Sequence, residues 1–255
     1  AALIRIRAAF NDLWLDEIWS IELVRELHSA LGVFTQTHHD NNHYLNSLFI
    51  YFFGQRGNWP GYRIPAEVFG IGTIVLAWLI GARHGKMTAF FSVLLVGFSY
   101  VLILYSSEAR GYAPLIFFCF GCFLILHSFL EKPRWQLAAL FSFAALLGLI
   151  SHLTFLVFLA ASLPWFCLSL LRLRLPIAKV ATWTLACYCV PPSLGCLRYT
   201  LSIFVSCRLA GEHRSQFGMD IARCWPGHSA DRTRLDCNYS PPFSALRVSL
   251  APFGC

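Results

Sequence analysis

Charge is what this sequence has least of. Only 13% of its 255 residues are Asp, Glu, Lys or Arg, whereas 57% are hydrophobic and the mean hydropathy is +0.58. A soluble domain carries about 25% charged residues. Too little polar surface is left here to cover a core in water, although the chain is long enough to bury one, so a polytopic membrane protein is the natural class. No signal-peptide pattern is visible in the sequence either. The sequence starts at Ala1 rather than Met, and "AALIRIRAAF" is too short to span a bilayer; it reads as the tail of a lost first helix. A disulfide framework is absent too. Cys119 and Cys122 lie within an apolar run, where a C-x-x-C pair reads as two small packing residues, and most of the other cysteines fall after residue 180. The net charge of +7 would suit nucleic acid in a soluble protein. In a membrane protein it reports loop topology, and no nucleic-acid partner is expected.

What is present is a series of long apolar runs. A spanning helix needs about 20 mostly apolar residues. Residues 64–82, 88–105 and 112–130 each qualify, and 135–171 is long enough to cross twice with a break near "SHLT", 151–154. Four or five spans are expected. Residues 41–53, "NNHYLNSLFIYFF", are too short to span and read as an interfacial helix. The expected fold is all-α: a polytopic transmembrane helical bundle with an outer-face interfacial helical loop. Its parts are 1–62 (the end of a membrane helix plus an outer loop), 63–184 (the bundle) and 185–255 (an atypical tail).

Alternate links are short and basic: "RHGK" at 83–86, "EKPR" at 131–134 and the segment 172–179. The positive-inside rule puts these in the cytoplasm. The long segment 11–62, "SSEARGY" at 106–112 and "SH" at 151–152 then lie outside, and Trp14, Trp19, Trp59, Trp135 and Trp165 fall near interfaces as an aromatic belt. Four separate parts of the chain thereby send ionisable residues to one membrane surface: Asp16 and Glu17, the histidines at 38, 39 and 43 with Asp40, Glu108 with Arg110, and His152.

Each cluster has two readings. In "LWLDEIWS", 13–20, a carboxylate beside apolar walls just outside a membrane gains proton affinity and can act as a general base. Equally, residues 17–31 have helical spacing, so Asp16 would be the N-cap and Glu17 would favour the helix dipole. His39 and His43 are spaced i, i+4 with Asp40 nearby, as metal ligands can be; alternatively Asp40 or Asn41 caps the interfacial helix. Arg110 offers a planar fork suited to phosphate, or else pairs locally with Glu108 or touches lipid headgroups. His152 is either a second phosphate ligand or a polar hinge residue. After "PP" at 191–192 the spanning pattern fades, and arginine, cysteine, serine and proline become frequent. The tail reads as a cytoplasmic or periplasmic extension, or as an out-of-frame translation.

"LWLDEIWS", "DNNHYLNSLFIYFFG", "YRIPAEVFGIGTIVLAWLIGAR", "YSSEARGYA" and "SHLTFLV" follow in an order that resembles glycosyltransferase family 39, the GT-C-type transferases that include protein mannosyltransferases and lipid-A aminoarabinose transferases. The resemblance covers roughly residues 10–175. It implies a polyprenyl-phosphate sugar as donor and a lipid, glycan or protein acceptor on the outer face. It implies Asp16 as general base and Glu17 as the residue that orients the acceptor or the base. It implies substrate binding by Asp40, His43, Glu108, Arg110, Tyr112 and His152, with Arg110 and His152 on the departing phosphate. No metal ligand is assigned, and a divalent cation is left open as cofactor. The expected location is a bacterial inner membrane, among membrane lipids, with the site on the periplasmic side. The chain lacks the two prolines of the commoner "H-P-P-L-Y-Y" segment at His43, and also the family's first helix, later helices and soluble C-terminal region. Two other functions stay in view: a transporter or metal-handling protein built on the His38, His39, Asp40 and His43 cluster, and a truncated product without activity. Transport requires ionisable groups near mid-membrane, and Glu67 and His127, both near span ends, are the main ones here.

Overall fold

A computed structural model describes residues 1–36, 42–54 and 59–189. These fall in one compact unit. It is all helical, with no strand among the described residues. Five elements precede the long helices: α1 (Ala2–Ala8), α2 (Leu15–Arg25), α3 (Gly32–Thr35), α4 (Tyr44–Phe53) and a 3₁₀ turn at Trp59–Arg63. Then come α5 (Ile64–Ala82), α6 (Lys86–Phe98), α7 (Tyr100–Ser106), α8 (Tyr112–Glu131), α9 (Trp135–Ser151), α10 (Phe155–Arg172) and α11 (Ile177–Tyr188). The expected boundary at 184/185 falls inside α11. The remainder of the tail, together with His38, His39 and Asp40, lies outside the described residues.

Among the described residues, three helical segments are long and apolar enough to cross a membrane: Pro60–Ala82, Tyr112–Glu131 and Phe155–Arg172. Only 28–33% of each spanning window is buried within the protein. The rest of each face is apolar and outward, which is what a lipid-exposed helix requires. α9 is apolar but has only 17 residues. The expected four or five spans therefore become three, or four if the bent pair α6–α7 is one broken span.

That bend corrects the continuous helix expected at 88–105. The chain turns by 61° at Ser99, whose backbone is extended (φ −62°, ψ 119°). A helix that stops leaves its last carbonyls without partners. Arg5 of α1 supplies them, donating from Nη1 to the Gly97 carbonyl at 2.9 Å and from Nη2 to that of Val96 at 3.0 Å. A guanidinium there also complements the negative end of the helix dipole. Arg5 is buried, so α1 folds over the break as part of the bundle.

The main core lies between α8, α9, α10 and α11. Phe129, Phe141, Phe155, Phe166, Leu126 and Leu170 are fully buried there, and Cys122 is a buried free thiol among them. Gly148 lets α9 and α10 turn tightly: a Cβ there would sit 2.4 Å from the Phe155 ring. A second, smaller core joins α2 to α4 and the 3₁₀ turn through Ile21, Val24, Ile50 and Tyr62, with Ala109 at its centre. The segment before α5 is thus a packed layer on one end of the bundle, where α5, α8 and α10 all begin.

Candidate functional site

α2 starts two residues earlier than the sequence indicates. Its N-cap is Trp14, not Asp16, and it ends at Arg25, with the separate turn of α3 beyond. Asp16 and Glu17 are consequently its second and third residues, and both acids favour the positive end of the helix dipole. Glu17 reaches back to accept the Trp14 backbone N–H at 2.9 Å, which closes the first turn.

Successive helical side chains diverge by about 100°, so the two acids point different ways. Glu17 points inward and is fully buried against an equally buried Arg63. Its Oε1 accepts from Arg63 Nε at 2.9 Å and from the Ala109 N–H at 2.5 Å. Its Oε2 accepts from Arg63 Nη2 at 2.6 Å as well as from Trp14. Arg63 also donates to the carbonyls of Ala9, Asn11 and Asp12. Both charges are paired and hydrogen-bonded, the condition for keeping an ion pair out of water. Glu17 therefore ties α2 to the head of α5 and to the loop at 106–111.

That loop carries Glu108 and Arg110. It is held at Ala109 from two sides: Glu17 takes the N–H, and Asn46 Nδ2 of α4 donates to the carbonyl at 2.7 Å. The next clamp is Gly111, where a Cβ would lie 2.2 Å from the Ser151 carbonyl and 2.9 Å from the His43 side chain. Only a glycine lets three chain segments meet here. α4 is set in turn by Asn42, which donates to the Val33 carbonyl at 2.9 Å and accepts from Ser47 at 2.7 Å.

Asp16 faces outward, its side chain 47% exposed. Arg110 Nη1 lies 3.1 Å from Asp16 Oδ2 and 3.9 Å from Glu108 Oε2. The purely local Glu108–Arg110 pair is thus the weaker contact, and the acid of α2, far away in sequence, is the closer partner. Arg110 also stacks over Tyr112, with Cζ 4.8 Å from the ring centroid. A run of rings continues from there. Tyr105 stacks on Tyr112, Tyr112 lies tilted against His152, and His152 stacks on His43, each with centroids 4.7 Å apart.

Burial, then the neighbouring His152 and Arg110, pushes the His43 pKa down to about 3. Burial and Arg110 lower that of His152 as well. Both imidazoles are neutral near pH 7. His152 Nδ1 accepts from the Thr154 backbone N–H at 3.2 Å, so the proton of the neutral ring is on Nε2, as a donor. Glu108 is shifted the other way: burial raises its pKa and Arg110 opposes the rise. The Nε2 of His43 and the Nε of Arg110 are buried with no hydrogen-bond partner among the described residues.

The structure brings together Asp16, His43, Glu108, Arg110, Tyr112 and His152 at one end of the bundle, with Glu17 beneath them. Asp40 lies outside the described residues. Among the described residues no group of three or more metal-ligating side chains converges. Sequence reading did not single out Arg63, Asn46, Ala109 or Gly111, which fix the arrangement. Arg63, at the threshold of the apolar run beginning "IP", counts from sequence as one more loop arginine. Asn46, three residues after His43 on one helix face, carries a usable spacing signal.

Fold and site define a polytopic helical membrane protein with an acid, an arginine and neutral imidazoles gathered at the helix ends. Over residues 42–195 the chain matches the family model described as dolichyl-phosphate-mannose-protein mannosyltransferase. That is more than half of the chain, which belongs to this family and is accordingly a membrane glycosyltransferase. The match takes in His43, Glu108, Arg110, Tyr112 and His152; Asp16 and Glu17 precede it. No curated protein and no solved structure matches the chain.

Proposed function

We propose that this chain moves a sugar from a polyprenyl-phosphate donor to a hydroxyl of a lipid, glycan or protein acceptor, on the periplasmic face of a bacterial inner membrane. One observation carries the reading: an outward carboxylate, Asp16, and an arginine, Arg110, stand 3.1 Å apart on two segments locked together by Glu17. The donor phosphate takes over the Arg110 guanidinium and releases Asp16 from its ion pair. Asp16 then removes the proton from the acceptor hydroxyl. The hydroxyl oxygen attacks the anomeric carbon, the bond from that carbon to the phosphate oxygen breaks, and the electron pair leaves with the polyprenyl phosphate. Arg110, and the Nε2–H of His152, stabilise the charge that develops there. Neutral imidazoles suit this role, because they add hydrogen-bond capacity without a second positive charge that would hold Asp16 in an ion pair. A divalent cation at this place would need Asp16 and Glu108, the carboxylates that flank Arg110, and would have to displace the guanidinium. The basic links at the far ends of the helices support the periplasmic orientation.

The test is release of polyprenyl phosphate from a panel of polyprenyl-phosphate sugars by membranes carrying the chain. Losing a general base costs about 10²–10⁴-fold in rate, so Asp16→Asn is expected to fall by that much with the protein still folded. Arg110→Gln is expected to lose turnover through weaker leaving-group stabilisation. Wild-type turnover by Asp16→Asn would remove Asp16 as the base and overturn the mechanism.

A further inference from the structure

The opposite end of the bundle has a site of its own. α5, α8 and α10 begin beside Arg63, Gly111 and His152 and run away for about 30 Å. At their far ends lie Arg83 and Lys86, Lys132 and Arg134, and Arg172, Arg174 and Lys179, against Glu131 as the single acid of those links. Glu131 is already engaged. Arg83 Nη1 pairs with its Oε1 at 2.8 Å and lies 3.1 Å from His127 Nδ1, while Arg83 Nη2 donates to Ser128 at 2.6 Å. That pair cancels, and the remaining charge of this end is positive.

Between the ends of α8 and α10 a cleft of about 260 Å³ opens. Leu130, Trp165 and Leu173 form its apolar walls, His127, Ser169 and the Arg83-paired Glu131 line the rest, and Arg172 stands exposed at its rim. Trp165 is braced by Phe123, with ring centroids 5.5 Å apart, and is 36% exposed. Arg172 makes no ion pair among the described residues. An apolar slot with an indole on one wall and a cation at its mouth has two demands: an aliphatic chain along the wall and a negative charge at the rim. Basic pockets between membrane helices meet both demands with an acidic phospholipid, and Trp165, seven residues before Arg172 on α10 and so about 10 Å deeper, lies at the depth of an acyl chain.

We infer that the α8–α10 cleft binds an anionic phospholipid, its phosphate on Arg172 and an acyl chain along Trp165 and Leu130. The site is independent of the transfer chemistry, which lies at the other end of the same helices.

Quenching of tryptophan by brominated lipid tests this with the full chain in nanodiscs. The contribution of Trp165 is the difference between the wild-type protein and Trp165→Phe. Brominated phosphatidylglycerol is expected to quench that contribution more than brominated phosphatidylcholine at equal mole fraction. One cation near an anionic lipid surface is worth about five-fold in local enrichment. Arg172→Gln should therefore remove about that factor of preference, and Arg172→Lys should retain it. Arg172 is exposed, so neither variant disturbs the core, and native mass spectrometry of retained lipid reads the same preference with Trp165 intact. Equal quenching by the two lipids would overturn the inference, as would an undiminished preference in Arg172→Gln.

Discussion

Replacing Glu17 by glutamine separates structure from chemistry in the acid pair. Each carboxylate oxygen accepts two hydrogen bonds: Oε1 from Arg63 Nε and the Ala109 N–H, Oε2 from Arg63 Nη2 and the Trp14 N–H. A glutamine amide has one oxygen and one NH₂, so whichever way it turns, two of the four contacts become donor against donor. The Arg63 charge also loses its counter-ion at a fully buried position. Breaking a buried ion pair from one side costs about 3–5 kcal/mol. A shift of 1 kcal/mol moves the melting temperature of a chain of this size by about 2–4 °C, so the expected fall is roughly 6–20 °C. Thermal melting in detergent, read by the loss of monodisperse protein, measures it. Removing both charges, in Glu17→Leu with Arg63→Met, is expected to recover most of the loss, because apolar replacement of a buried pair is often neutral or better. Asp16→Asn, at a half-exposed position, should melt like the wild type. A Glu17→Gln protein with an unchanged melting temperature and no turnover would refute the reasoning and give Glu17 a chemical role.

Gly111→Ala places a methyl group against the Ser151 carbonyl and His43. It is expected to destabilise by about 1–3 kcal/mol and to lower turnover further by spreading Arg110 from Asp16, both readable from melting and phosphate release in one preparation. Asn46→Ala leaves the buried Ala109 carbonyl without its partner and should cost about 1–3 kcal/mol, again by melting. His43 has a folded pKa of about 3 against an ordinary 6.5, so the unfolded chain binds the extra proton between those values. Its contribution to stability is complete above about pH 6.5 and is lost as the pH falls towards 3. Glu108, raised by burial, acts with the opposite sign, its contribution fading as the pH rises. A melting series from pH 7 to 4 should therefore be flatter in His43→Phe than in the wild type, and an unchanged slope would count against the buried neutral imidazole.

The long helices were legible because a bilayer demands the same thing everywhere along a span: apolar side chains and internally satisfied backbone. α5, α8 and α10 follow the runs at 64–82, 112–130 and the second half of 135–171 closely for that reason. The break at Ser99 was not legible. Nothing in "SVLLVGFSYVLILY" forbids a continuous helix, and the partner that satisfies the broken end, Arg5, lies over ninety residues earlier. The gathering of Asp16, His43, Glu108, Arg110 and His152 at one end could be read from topology alone. Their mutual arrangement could not, since it rests on backbone contacts at Ala109 and on the space that Gly111 leaves, neither of which has a side-chain signature.

The adjacent acids in "LWLDEIWS" show why spacing is a better guide than identity. Had both been functional and both outward, they would need to be three or four residues apart to share a helix face. As neighbours on α2 they cannot face the same way. The fold therefore uses one carboxylate to hold Arg63, the N-cap of α2 and the 106–111 loop in register, and the other to meet the arginine of that same loop. Glu17 sets the distance at which Asp16 finds Arg110, since it binds Ala109, the residue directly before Arg110. A shift of α2 by one residue would bring Asp16 into the buried position on a shorter side chain that no longer reaches Arg63, and would move Glu17 to the half-buried place of Ile18, away from Arg63. For that reason Asp16→Glu, which keeps the charge but lengthens the arm, is a milder change than exchanging the order of the pair.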